Sequence, residues 1–139
     1  MKTHIALLLL AVGGAVACSQ ATKTDSSANG NLNGEWTYVR ASNEPPGFSL
    51  DVTLELDGAT VAGSGTWQGE AMPGGVVNAS GSATGNHVSI DLALVRNATG
   101  TNLGSSAEHF DGAFTSNDDL EGTKTIDGVT SPMHLHRKS

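Results

Sequence analysis

The chain has 139 residues with 14 Asp+Glu against 7 Lys+Arg, a net charge of −7 with histidines neutral. An acidic chain of this kind repels phosphate backbones and lacks the basic patch that holds a protein to an anionic membrane, so nucleic acid is excluded as an expected partner. Gly reaches 18 residues, aromatics are only 4%, and there is a single cysteine. That excludes a disulfide-stapled fold and argues against a helical one, since each Gly costs a helix about 1 kcal/mol relative to Ala.

The first element is an apolar run, Ile5 to Val16, behind a short basic start at Lys2. It has the length of a signal-peptide core and falls short of the roughly 20 residues that span a bilayer. Ala15-Val16-Ala17-Cys18 resembles the lipobox of bacterial prolipoproteins, with Ala15 where that family usually has Leu. The resemblance implies removal of residues 1–17 and a lipidated Cys18 that anchors the chain to the membrane of a cell envelope. The periplasmic or extracellular face is implied, and the outer membrane if the cell is Gram-negative. Ala15-x-Ala17 also fits an ordinary secretory cleavage site. From 18 to 31 the chain is polar and rich in Ser, Asn and Gly, which reads as a flexible tether with a reach near 20 Å at about 5–6 Å × √n.

From residue 32 to 139 the pattern becomes one domain of alternating residues. Leu50, Val52, Leu54 and Leu56 share one parity, and Val88, Ile90, Leu92 and Leu94 repeat it. A period of two marks half-buried strands with one wet face. Turn residues fall between the runs: Pro45-Pro46-Gly47, Asp57-Gly58, Pro73-Gly74-Gly75, Gly85-Asn86, Asn117-Asp118-Asp119 and Asp127-Gly128. Strands are expected near 34–40, 49–56, 60–67, 76–84, 87–95, 108–115, 119–126 and 131–137.

A motif of apolar-x-Gly-x-x-Thr recurs at Leu32–Thr37, Val61–Thr66, Phe110–Thr115 and Leu120–Thr125, with a weaker copy at Ala79–Thr84. Glycine on the apolar parity lets a strand coil sharply and another backbone approach. Short hairpins make sequence neighbours pair antiparallel. The expectation is an all-β fold, an eight-stranded antiparallel up-and-down β-barrel; the alternative is a sandwich of two four-stranded sheets.

Gly34-Glu35-Trp36 at the first strand resembles the G-x-W that opens the barrel of calycins, the superfamily of lipocalins and avidins. The resemblance implies that Trp36 closes one barrel end beneath a basic residue of the last strand, here Arg137. The lipocalin pattern beyond that, including a C-terminal helix, is missing.

Trp36, Tyr38 and Trp67 are candidate walls of a ligand site, and Lys124 is a candidate anion-binding group. Lys124 shares parity with Leu120, Gly122 and Ile126, so a regular strand aims it into the lumen; a bulge, or snorkelling from a barrel mouth, would take it out. His134 and His136 share a face of the last strand and could chelate a metal. Two ligands are too few, and a third would have to come from His109, Glu108, Asp111 or His87, so no metal and no cofactor are expected. No nucleophile motif or phosphate loop appears, and the expectation is a non-enzyme. Two functions remain open: binding of a small apolar or amphipathic ligand in the lumen, or a solid barrel whose loops near 41–48, 68–75 and 96–107 meet a protein partner of unknown identity.

Overall fold

The computed structural model describes residues 30–40, 47–69, 72–98 and 101–139. Cys18, the export segment and most of the expected tether lie outside them, as do residues 41–46 of the first expected loop. Eight strands follow in order: β1 (Gly34–Tyr38), β2 (Ser49–Asp57), β3 (Thr60–Gly69), β4 (Met72–Thr84), β5 (His87–Ala98), β6 (Thr101–Phe114), β7 (Asp119–Ile126) and β8 (Val129–Arg137). Each pairs antiparallel with its sequence neighbour, and β1 pairs with β8 through Trp36↔Arg137, Thr37↔His136 and Tyr38↔Leu135. That last ladder closes the sheet into a barrel and rules out the sandwich.

The alternation forms the core. Leu50, Val52 and Leu54 of β2, Val88, Ile90, Leu92 and Leu94 of β5, and Met133 and Leu135 of β8 are all buried inside. Each such side chain contributes about 1.5–3 kcal/mol of burial. Glycines take the facing positions: Val52 pairs with Gly65, Leu54 with Gly63, Ile90 with Gly81 and Val88 with Gly112. Gly112 and Gly122 face each other across β6 and β7. A Cβ on Gly122 would lie 2.5 Å from the Gly112 Cα, so the approach admits no side chain.

Two-residue turns fix the lower hairpin β2–β3, with Gly58 at φ 61°, and the upper hairpin β7–β8, where Asp127 and Gly128 both take positive φ (48° and 80°), as a type I′ turn requires. Bulges interrupt the ladders between Trp67 and Gly69 and between Val95 and Asn97, both near the upper rim.

Strands β4, β5 and β6 run beyond the expected boundaries, which corrects two of the three expected loops. The ladder continues through Gly69↔Met72 and through Asn97↔Asn102 and Ala98↔Thr101. The segments near 68–75 and 96–107 are therefore mostly hairpin arms. The β6 ladder to β7 begins only at His109↔Thr125, so the upper part of β6 is held by β5 alone. Gly104 to Ala107 are exposed on both faces, and a strand with no buried face shows no alternation.

Candidate functional site

The barrel has two unlike ends. The lower end carries the β2–β3, β4–β5 and β6–β7 turns and is plugged by residues 30–33. Leu32 is buried there, and its carbonyl accepts the Trp36 indole N–H at 2.8 Å. The Arg137 guanidinium lies 4.5 Å from the Trp36 ring centroid and donates to the carbonyls of Asn31, Asn33 and Asn117. Arg137 therefore lies over the Trp36 indole. Phe114 meets Trp36 edge to face at 6.1 Å, and Asn86 bonds both backbone groups of Phe114. Among the described residues, no buried side-chain polar atom of this plug lacks a partner.

At the upper end the residues nominated from sequence come together, with Trp36 excepted. Lys124 keeps its inward parity, because the β7 ladders run without a shift through Phe110↔Lys124 and Lys124↔Ser131. Its Nζ lies 4.7 Å from the Tyr38 ring centroid and 5.1 Å from that of Phe48. Tyr38 packs edge to face on Phe48 at 5.5 Å, and Phe48 continues to Trp67 at 6.4 Å. The Trp67 indole N–H donates to the Val95 carbonyl at 3.3 Å and so joins the two bulged strands. Trp36, two residues from Tyr38, faces the plug instead and is fully buried there.

Sequence reasoning missed Glu108 as a lumen residue. It shares parity with Phe110 and Phe114 on β6, and that was the available signal. Glu108 is the one buried charged residue among those described, 5% exposed, and its Oε2 has no hydrogen-bond partner. Burial pushes its carboxyl up from the ordinary glutamate value, and the Lys124 charge opposes that shift. No ion pair joins the two groups among the described residues.

The chain matches no known protein-family model, and neither a curated protein nor a solved structure matches it.

Access to the upper site is also possible from the side. β1 ends at Tyr38 while β8 continues upward from Leu135 to Val129, so the two strands part above Tyr38. A groove of about 250 Å³ opens there, lined by Tyr38, Val39, Arg40, Glu121, Gly122, Pro132, Met133 and His134. Tyr38, Gly122 and Met133 belong to the inward parity, whereas Glu121 and His134 belong to the outer face.

The histidines among the described residues are all on the outside, and the third partner expected for His134 and His136 is corrected. It is none of His109, Glu108, Asp111 or His87. His87 pairs with Asp111 at 3.0 Å and His109 with Asp91 at 2.7 Å, both on the β5–β6 face, while Glu108 points inward. The partner is Asp119, whose Oδ1 lies 2.8 Å from His134 Nε2 and 2.8 Å from His136 Nδ1. Ser116 Oγ donates to the other carboxylate oxygen at 2.7 Å. Together these hydrogen bonds hold the Asp119 carboxyl well below the usual carboxylate range. The tight Asp127-Gly128 turn was the usable sequence signal: counting back from a two-residue loop sets Asp119 opposite His136.

Proposed function

We propose that this chain is a lipid-anchored envelope protein whose barrel binds a small amphipathic ligand at its upper mouth. The observation that carries the reading is Glu108, a buried carboxyl with an unpartnered oxygen, beside an ammonium that rests on two aromatic rings. Burying a polar group without a partner costs about 1–3 kcal/mol. Among the described residues, the lower end of the same barrel leaves no buried side-chain polar atom without a partner, so an orphan is no general feature of this core. A ligand suited to the site has an apolar body that lies on Phe48 and Trp67. Its head group accepts a hydrogen bond from Lys124 and reaches the free Glu108 oxygen. The lower lumen is filled by Leu32, Trp36, Phe110 and Leu120, which confines the ligand to the mouth. The anchor at Cys18 rests on the lipobox resemblance, and two or three acyl chains there hold the domain stably at the membrane.

Two measurements test this. Titration of the full chain with 1-anilinonaphthalene-8-sulfonate, an amphipathic anion, is expected to give a saturable 1:1 fluorescence response. Lys124→Met should weaken it, and Trp36→Phe should leave it intact. A response that does not saturate, or that Lys124→Met and Glu108→Met leave unchanged, removes the binding reading. Separately, Cys18→Ser should move the protein from the membrane fraction to the soluble one; continued sedimentation with membranes removes the anchor.

A further inference from the structure

We propose that Asp119, His134 and His136 form a divalent transition-metal site on the outer face of β7 and β8. The site is distinct from the lumen and does not depend on ligand binding there.

The argument starts from register. His134 and His136 alternate on β8, so both imidazoles stand on the outer face. Asp119 is the first residue of β7 and pairs directly with His136, with His134 on the diagonal. One carboxylate oxygen and two ring nitrogens therefore converge, all within 4.8 Å of one another. A zinc ion with ligand bonds of about 2.0–2.1 Å in tetrahedral geometry sets its donors roughly 3.3 Å apart. The 2.8 Å separations of Asp119 Oδ1 from the two nitrogens need only a small outward rotation of each ring to reach that.

The hydrogen bonding around the three groups favours the same role. Oδ1 takes both imidazole contacts, so the two nitrogens point at a common locus. Oδ2 is held by Ser116 Oγ, which fixes the carboxylate plane, as outer hydrogen bonds do around metal ligands. Asp118 is committed to Arg137 Nε at 3.1 Å and does not compete for the site. The two other histidine–aspartate contacts, on the β5–β6 face, are each one imidazole to one carboxylate and assemble no third donor. A metal-bound ring donates the lone pair of the nitrogen that faces Asp119 and carries its N–H on the remote nitrogen.

Donor chemistry selects the ion. Two imidazoles and one carboxylate suit Zn²⁺, Ni²⁺, Co²⁺ or Cu²⁺, and not Mg²⁺ or Ca²⁺, which require oxygen. The two rings and the carboxylate are each between 29 and 49% exposed at the side chain, which leaves the remaining coordination positions open to solvent. The side groove reaches His134 and Glu121, so an added ligand has room beside the metal.

The test is titration of the full chain, with and without Cys18→Ser so that the thiol is accounted for. Calorimetry with Zn²⁺ should show one equivalent bound, and Mg²⁺ should show none. His134→Ala, His136→Ala and Asp119→Asn should each weaken Zn²⁺ by more than about tenfold, and Ser116→Ala by less, whereas His87→Ala and His109→Ala should leave it unchanged. Because changes in β8 could disturb closure, the unaltered protein supplies a second readout. Zn²⁺ should shift the imidazole NMR signals of His134 and His136 and leave those of His87 and His109 in place. Failure to saturate, equal loss in the His87 and His109 variants, or shifts shared with His87 and His109 would overturn the site.

Discussion

Both ends of the barrel place a cation on aromatic rings, yet they are built for different ends. At the lower end Arg137 covers Trp36 and spends its donors on three backbone carbonyls. At the upper end Lys124 covers Tyr38 and Phe48, and the nearby Glu108 keeps an oxygen without a partner. The guanidinium fork is suited to a fixed plug because its planar donors match several carbonyls at once. The ammonium is a compact charge on a flexible stem and leaves its donors to whatever arrives. The contrast teaches that a similar contact closes the barrel at one end and, at the other, sits near a buried oxygen left without a partner, which is where the proposed function puts recognition.

The largest effect expected from breaking this contrast is at the lower end. Trp36→Ala removes a fully buried indole and should lower stability in urea by about 3–5 kcal/mol. Arg137→Met strands the three carbonyls and should cost about 2 kcal/mol by the same measurement. At the upper end the sign reverses. Glu108→Met removes the orphan oxygen and should raise stability at pH 7 by about 1 kcal/mol while it weakens ligand binding. A loss of stability there would mean that Glu108 is structural.

A pH series sharpens the same point. The folded-state pKa of Glu108 is raised, so above the unfolded value near 4.5 the native state holds the proton more tightly than the unfolded chain. Its contribution to stability is therefore present at low pH and falls as pH rises from about 4.5 through the raised value. Stability curves of the unaltered protein and Glu108→Met should converge at acid pH and separate toward neutrality. The smallest effect is Lys124→Met, which keeps an apolar stem on the rings and should change stability by less than about 1 kcal/mol.

Much of this was legible in the chain, because the relevant physics is local. Alternation at Leu50–Leu56 and Val88–Leu94 identified strands and their inner faces. The same parity aimed Lys124 inward, and within the expected 108–115 strand it also set Glu108 on the face of Phe110 and Phe114. The upper β5–β6 hairpin escaped notice because Gly104 to Ala107 are exposed on both faces, and backbone pairing alone leaves no periodic mark. The Asp119–His136 contact was recoverable in principle, since its register follows from one tight turn.

By itself the sequence determined the all-β class, the inward and outward faces, and the glycine positions that allow close strand approach. These depend on a period of two and on turns of a few residues. Only the tertiary structure decided between barrel and sandwich by pairing β1 with β8, and brought Tyr38 and Phe48 under Lys124. Such contacts depend on the twist and stagger accumulated over eight strands, which no single hairpin encodes.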